Sequence, residues 1–385
     1  MRTILFIIVV LNTLAAKSQS YPSFGHEIEV TINGLSFDAM EPFISPNGNY
    51  LFFNNLNDGI NTKLYYATKV NDSTFTFIGE INGANQITPP HLDAVADLDS
   101  LNNFYWTSTR NYPAELNNLF HGTFNLGTIT NIGRVQGDFN KNIPGWLVMD
   151  HGISLDGQVL YFNNARFAGS NCQGPCETEL GIAQKVNDST FNKTANSDAI
   201  LSKINDTNYI YYAPCISSDN LELYYTRYPR DTITVNTLFE ICVALRNTST
   251  EPFSAPTVLF SETIANLIEA PTLTTDKQIL YYHRKAVGTH KIVMRYRAPL
   301  ISTIPSMELE APFSIYPNPT NGKLNIKTAL NRQDLKVSLF TLLGEEVMIT
   351  NNQTEIDINA LSPGTYFLRL EMDGKVGIKK IIKVE

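Results

Sequence analysis

The chain has 385 residues, of which 43% are hydrophobic and 11% aromatic, so it is long enough for more than one domain and apolar enough to fold over most of its length. Its formal net charge is −8, from 37 acidic and 29 basic residues. An acidic surface repels phosphate groups, which argues against nucleic acid or an anionic membrane surface as a partner.

The N-terminus has the pattern of a secretory signal peptide. An apolar run from Ile4 to Ala16 follows a single basic residue and is too short to span a bilayer. Ala16 and Ser18 suit the −3 and −1 positions of a cleavage site, so we predict a signal peptide over residues 1–18 and a mature chain that begins at Gln19. No later segment has the length of apolar sequence that a transmembrane segment needs.

Residues 19–298 repeat one pattern five times. Each copy has a short apolar strand, a turn, an aromatic or aliphatic triplet and then one or two further strands. The triplets are Leu51–Phe53, Phe104–Trp106, Leu160–Phe162, Leu223–Tyr225 and Leu280–Tyr282. Four strands in a unit of roughly 55 residues, without a helical period, are typical of a β-propeller blade. We therefore predict an all-β fold with a five-bladed β-propeller over 19–298.

The N-terminal strand is expected to close the propeller. The fifth copy lacks its fourth strand, because the repeat ends at Arg297. The segment Ile28–Gly34 is similar to Ile78–Gly83, which is the fourth strand of the first copy. If the N-terminal strand completes blade five, the ring has no open sheet edge. A sixth, degenerate blade is the alternative.

The turn Ser45-Pro-Asn-Gly48 before an aromatic strand resembles the PD-type repeats of TolB-like propellers. That pattern has an acidic residue near the start of the first strand. Glu41 and Asp150 occupy this position here, and Asp93 does so after a one-residue insertion. The resemblance concerns the fold, and propellers include hydrolases, lyases, receptors and scaffolds.

Glu41, Asp93 and Asp150 are the candidates for chemistry. Innermost strands line the channel of a propeller, so we expect the three carboxyl groups to converge near one mouth. Five-bladed glycosidases of the arabinanase type place an acid, a base and a pKa-modulating carboxylate in comparable positions, and such hydrolysis needs two carboxyl groups roughly 5–9.5 Å apart. The alternative, which we favour, is that these acids brace the ring by accepting hydrogen bonds from backbone amides or a neighbouring Arg.

Three further residues flank this acidic position. His151 follows Asp150, while Tyr212 and Glu269 precede the alanines that replace the acid in blades four and five. The chain lacks the common catalytic motifs and has scattered histidines, so we expect neither a cofactor nor a metal.

The favoured hypothesis is a site at the channel mouth for an extracellular glycan, peptide or protein. We predict that it is formed by Glu41, Asp93, Asp150, His151, Tyr212 and Glu269. A carbohydrate-active hydrolase or lyase that uses the channel carboxylates is the second hypothesis, and a structural surface scaffold is the third.

Cys172 and Cys176 lie in a loop rich in Gly, Asn and Pro. An exported chain permits disulfides, and no second pair of Cys or His accompanies this one, so a local disulfide is favoured over zinc. Cys215 and Cys242 stand in apolar, strand-like runs and are predicted to be buried thiols.

The C-terminal residues 312–385 form a separate unit after a predicted linker at 299–311 that is rich in Ser, Thr, Pro and Glu. Short alternating strands between Gly, Pro and Asn turns predict a small Ig-like β-sandwich.

Three motifs follow one another in this unit: Tyr316-Pro-Asn-Pro-Thr-Asn-Gly322, Leu361-Ser-Pro-Gly-Thr-Tyr-Phe367 and Lys379-Lys-Ile-Ile-Lys-Val384. Together they resemble the type A C-terminal sorting domain of the Bacteroidetes type IX secretion system. The resemblance implies that the type IX machinery recognises this domain as a partner and exports the chain across the outer membrane, often with removal of the domain. We therefore expect a secreted or cell-surface protein whose mature form ends in the linker.

Overall fold

The computed structural model describes residues 21–167, 172, 174–230, 233–298, 313–327, 335–341, 346–372 and 375–384. The predicted signal peptide and linker lie outside the described residues. The chain divides into two compact units, Met1–Pro299 and Leu300–Glu385.

The first unit is almost entirely β. Its described helical segments are one α-helix, α1 (Ser197–Ile200), and one 3-10 turn, Ile264–Asn266. The strands are β1 (Ile28–Glu29), β2 (Thr31–Asn33), β3 (Met40–Ile44), β4 (Tyr50–Asn54), β5 (Asn61–Thr62), β6 (Leu64–Asn71), β7 (Thr74–Glu80), β8 (His91–Leu98), β9 (Asn103–Ser108), β10 (Leu119–Asn125), β11 (Thr128–Arg134), β12 (Trp146–Ile153), β13 (Val159–Arg166), β14 (Glu177–Asn187), β15 (Thr190–Lys193), β16 (Tyr209–Ile216), β17 (Glu222–Pro229), β18 (Leu238–Leu245), β19 (Thr257–Thr263), β20 (Ile268–Leu273), β21 (Ile279–Ala286) and β22 (Thr289–Tyr296).

These strands form five sheets of four or five strands. The sheets are built on β3-β4-β6-β7, β8 to β11, β12 to β15, β16 to β19, and β20-β21-β22-β1. Neighbouring strands are antiparallel, except that β2 joins β7 and β5 joins β8 in parallel. The first strands contact one another in a closed cycle, from β3 to β8, β12, β16 and β20 and back to β3.

The segment from Ile28 to Asn33 links the two ends of this cycle. β1 pairs with β22, with Ile28 opposite Met294, and so supplies the fourth strand of the last sheet as the sequence predicts. The second half of the segment does not continue along that sheet. It forms β2 and pairs with β7 of the first sheet, with Thr31 opposite Thr74.

The five triplets form the core between the sheets. Every triplet residue is at most 2% exposed. Side chains alternate between the two faces of a strand, so the central residue of each triplet packs toward the next sheet and the outer two pack toward the preceding one. Phe52 shows the contact directly, because its ring centroid lies 5.2 Å from that of Phe104 in the second sheet.

The second unit contains two sheets around one apolar core. Its strands are β23 (Ser314–Tyr316), β24 (Lys323–Lys327), β25 (Lys336–Thr341), β26 (Glu346–Asn351), β27 (Glu355–Asp357), β28 (Gly364–Met372) and β29 (Lys375–Lys383). The sheet orders are β23-β24-β27 and β26-β25-β28-β29. Leu324 and Ile356 of the first sheet share a core with Val337, Leu368 and Ile381 of the second, as expected for a small sandwich.

The cysteines fall into two groups. Cys172 and Cys176 are joined by a disulfide, with 5.1 Å between their Cα atoms. Cys215 and Cys242 are free thiols, of which Cys242 is buried and Cys215 half-buried. Within the described residues, no helix combines the length and hydropathy that crossing a membrane requires.

Candidate functional site

A β-bulge in the first strand of the sheets positions the candidate site. In the first sheet two residues, 41 and 42, lie between the pairs Met40–Asn54 and Phe43–Phe52, where the partner strand has one. The same irregularity occurs at 95–96, 213–214 and 270–271. The first bulge residues have positive φ angles, which are 50° at Glu41, 56° at Val95, 49° at Ala213 and 55° at Ala270. Such bulges re-aim side chains locally.

Three carboxyl groups from three sheets face one another inside the ring of first strands. Glu41 lies on β3, Asp150 on β12 and Glu269 on β20. They are close enough for the charges of Asp150 and Glu269 to act on Glu41 and for that of Glu269 to act on Asp150. Two oxygens, Glu41 Oε2 and Asp150 Oδ2, are buried and have no hydrogen-bond partner among the described residues.

The environment gives the three acids different proton affinities. Burial, followed by the charges of Asp150 and Glu269, raises the pKa of Glu41 well above its ordinary value. Burial raises the pKa of Asp150 to about 7, although the backbone N–H of Ala213 donates a hydrogen bond to it. Near neutral pH Asp150 is therefore close to its titration midpoint, while the pKa of Glu41 is shifted in the same direction.

Glu269 differs because both of its oxygens have partners. The Tyr212 hydroxyl donates to Oε2, and His283 Nε2 lies 2.9 Å from Oε1. His283 Nδ1 accepts the backbone N–H of Glu41 at 3.0 Å, so the ring carries its proton at Nε2, toward Glu269. Burial acts to raise the pKa of Glu269, but the contacts with His283 and Tyr212 hold it below its ordinary value.

The three acids line a cavity of about 530 Å³, a volume within the usual range of small-molecule sites, which is roughly 300–1,000 Å³. The rest of the lining is mainly apolar and aromatic and includes Leu147, Phe167, Tyr212, Tyr228 and Phe239. The site is therefore a cavity that combines several polar side chains with a mainly apolar lining.

Asp93 does not join Glu41 and Asp150 as the sequence analysis expects. The register places Val95, not Asp93, at the bulge position of Glu41. Asp93 is fully buried, accepts the backbone N–H of Gln86 at 2.7 Å and lies 3.0 Å from Arg110 Nη2. It is outside the residues that line the cavity. The one-residue insertion assumed for the alignment is the reason for the error.

His151 and Tyr212 lie on different sides of the acids. Tyr212 lines the large cavity, whereas His151 lines a smaller one of about 80 Å³ together with Asp97 and Cys215. His151 is 3% exposed, and burial lowers its pKa to about 4, so the ring is neutral at physiological pH. Of the predicted binding residues, Glu41, Asp150, Tyr212 and Glu269 therefore share the large cavity.

Bracing of the ring is carried mainly by other residue types. The backbone N–H of the first bulge residue donates to a side chain of the preceding sheet, in the pairs Glu41–His283 at 3.0 Å, Val95–Asn54 at 3.5 Å and Ala270–Thr226 at 3.0 Å. Asp150 takes this role toward Ala213. His283 was missed in the sequence, although a polar residue follows each of the five triplets, at 54, 107, 163, 226 and 283.

The C-terminal unit matches a known family over residues 314–384, described as the secretion system C-terminal sorting domain. The chain is a cargo of the type IX secretion system. The cargo is thus exported to the cell surface or secreted, which confirms the address predicted from the three motifs. No curated protein matches the sequence significantly.

Several solved structures match the cargo at low sequence identity. PorZ, an essential surface component of the type IX secretion system of Porphyromonas gingivalis, is 13% identical over 91% of this chain and 53% of its own, with a TM-score of 0.36. The chain thus spans about half the length of PorZ. An endo-arabinase from Bacteroides thetaiotaomicron is 14% identical over 71% of this chain and 98% of its own, with a TM-score of 0.43. TolB from Acinetobacter baumannii is 9% identical over 68% and 55%, with a TM-score of 0.34.

Proposed function

We propose that the five sheets are the blades of a five-bladed β-propeller, residues 19–298, which type IX secretion carries out of the cell to bind an extracellular ligand. The ligand is a glycan or peptide chain, and part of it enters the cavity of about 530 Å³. The observation that carries the proposal is the convergence of Glu41, Asp150, Tyr212 and Glu269, from four different sheets, on one concave wall. Scattered structural acids would not share one cavity.

A screen of glycans and peptides against the full chain tests this function. Binding is read by calorimetry, and product release by chromatography of the same mixtures. The matched variant is Leu147→Trp, because Leu147 lines the cavity and is half-buried, so a larger side chain fills the space without entering the core between the sheets. A ligand bound by the native chain and lost in the variant supports the proposal, whereas a ligand bound equally by both contradicts it.

Hydrolysis is the second candidate function, favoured by the opposite pKa shifts of Glu41 and Glu269. A carboxyl group with a raised pKa next to a carboxylate with a lowered pKa is the arrangement that general acid–base hydrolysis of a glycosidic bond requires. Asp150 would be the base, because its Oδ2 is free, while both oxygens of Glu269 are engaged. Product release in the screen that disappears in Glu41→Gln would place this candidate first.

A further inference from the structure

The charge of the cavity points to the chemistry of its ligand. Four acidic residues line it, namely Glu41, Asp58, Asp150 and Glu269, and none of the described residues of the lining is Lys, Arg or His. Asp150 is 4% exposed, yet its Oδ2 has no hydrogen-bond partner among the described residues. An unpartnered oxygen of a buried carboxylate is costly unless a ligand supplies the missing donor.

Part of the cavity lining is aromatic. The rings of Tyr228 and Phe239 lie 4.7 Å apart between centroids, and Tyr212 meets Tyr228 edge-on at 6.1 Å. All three line the cavity. Aromatic faces attract cations, and the attraction grows in a site that excludes water.

We propose that the ligand carries a primary ammonium group, which lies between Asp150 and Glu41 while the rest of the ligand contacts the wall formed by Tyr212, Tyr228 and Phe239. The inference rests on the proposed function and names the ligand class of that cavity. The positive charge is provided by an amino sugar or by a lysine side chain.

An ammonium group fits these acceptors better than a guanidinium group does. It is a compact charge with three donors, which can reach single oxygens on different residues. A guanidinium group binds best to both oxygens of one carboxylate. Here one oxygen of Asp150 accepts the Ala213 N–H, one oxygen of Glu41 accepts the Asn57 amide at 3.2 Å, and both oxygens of Glu269 are occupied.

Binding is coupled to loss of protons from the acids. The titratable groups that face Asp150 and Glu41 from the surrounding elements are Glu269, Tyr212 and His283, with Asp58 and Tyr228 on the cavity wall and His290 behind His283. A bound cation favours the ionised carboxylates. Affinity therefore rises with pH between about 5.5 and about 8, the range in which Asp150 loses its proton.

The test uses two pairs of probes whose members differ at one nitrogen, which is an amine in one member and a neutral acetamide in the other. They are D-glucosamine with N-acetyl-D-glucosamine, and Nα-acetyl-lysine methylamide with its Nε-acetyl derivative. Dissociation constants are measured by calorimetry on the full chain at about pH 7, where both amines are still mainly protonated, and at about pH 5.5. We expect at least one charged probe to bind about tenfold or more tightly than its acetylated partner, and to weaken at the lower pH. The pair that shows the difference identifies the source of the ammonium group.

Two variants separate charge recognition from use of the cavity. Asp150→Asn keeps an oxygen for the Ala213 N–H and removes the charge, so the preference for the charged probe is lost. Asp156→Asn is the matched control, because Asp156 is exposed on a turn of the same sheet outside the cavity and its replacement leaves binding unchanged. Circular dichroism and melting confirm that each variant is folded.

The outcomes distinguish this inference from the proposed function. The acetylated probes could bind as tightly as the charged ones or more tightly, and lose that binding in Leu147→Trp. This result would overturn the ammonium group but retain the proposed binding cavity. If the charged probes bind and neither Asp150→Asn nor Leu147→Trp changes that binding, the ammonium group and the binding cavity are both overturned. Absence of binding by all four probes also overturns the ammonium group, and the glycan and peptide screen then decides the function of the cavity.

Discussion

At the residue scale, two buried aspartates differ in the number of donors around them. Asp93 has a partner for each oxygen, the backbone N–H of Gln86 and the guanidinium of Arg110. Asp150 accepts one backbone N–H, has an unpartnered Oδ2 and lies near the charge of Glu269. The same residue type therefore has both oxygens satisfied at one position and an open acceptor oxygen at the other.

The pH dependence of stability should reveal this difference. The pKa of Asp150 is raised from an ordinary value of 3.8 to about 7. The folded state then binds the proton more tightly than the unfolded state, so this group costs nothing below about pH 4 and its full penalty is reached above about pH 7. We expect Asp150→Asn to match the native chain near about pH 4 and to exceed its free energy of unfolding by roughly 2–4 kcal/mol near about pH 8, measured by urea denaturation.

Asp93→Asn is the control, and we expect it to change the free energy of unfolding in the opposite direction. The new amide group places one donor against Arg110 or the Gln86 N–H, which leaves a buried donor unpaired and lowers the free energy of unfolding by about 1–3 kcal/mol. If Asp150→Asn lowered stability at about pH 8 as much as this control does, Asp150 would be a brace rather than a poised carboxylate.

Of the six residues predicted for the site, four line the large cavity, whereas Asp93 lies outside it and His151 lines the smaller one. The sequence allowed a prediction of Glu41, Asp150, Tyr212 and Glu269 because these residues stand next to a recurring turn and triplet. Asp93 was misplaced because a bulge adds a residue to one strand only, and the paired register that reveals it is set by the neighbouring strand rather than by the chain itself.

At the element scale, the segment from Ile28 to Asn33 joins the last sheet to the first. β1 completes the last sheet, and β2 adds to the first. Glu27 next to it accepts the Tyr282 hydroxyl at 2.5 Å and lies 2.7 Å from Arg284 Nη1. The sequence predicted the first half of this arrangement from similarity between strands. It could not predict the second, because the change of partner at Val30 depends on where two sheets meet.

Removal of this segment should weaken the first unit. A chain that begins at Thr31 exposes the edge of β22 and leaves Arg284 without Glu27, so we expect its melting temperature to fall by about 10 °C or more, or the chain to aggregate. The matched control begins at Tyr21, which retains both strands, and should melt like the chain that begins at Gln19. Equal melting of the chains that begin at Thr31 and Tyr21 would show that β1 is dispensable for closing the cycle. Differential scanning calorimetry provides the measurement.

At the scale of the whole molecule, the sorting domain and the proposed binding cavity belong to separate parts of the chain. The family match is confined to 314–384, while the described residues that line the cavity all belong to the first unit. The sorting domain was recognisable in the sequence because its three motifs are short and local. The cavity was harder to predict from the sequence, since five sheets distant in sequence must close into a cycle before its residues meet.

From this separation we expect export to be independent of the proposed binding. A chain that ends at residue 298 keeps the whole cavity but lacks the sorting domain, so in a host with type IX secretion it should accumulate in the periplasm while binding the same ligand as the full chain. Residues 299–385 fused behind a signal peptide and a fluorescent reporter are the matched control and should carry the reporter to the surface or medium. Cell fractionation with immunoblotting measures both. Surface exposure of the truncated chain would show that the first unit carries a second export signal, and a reporter retained in the periplasm would show that the sorting domain needs the first unit to be recognised.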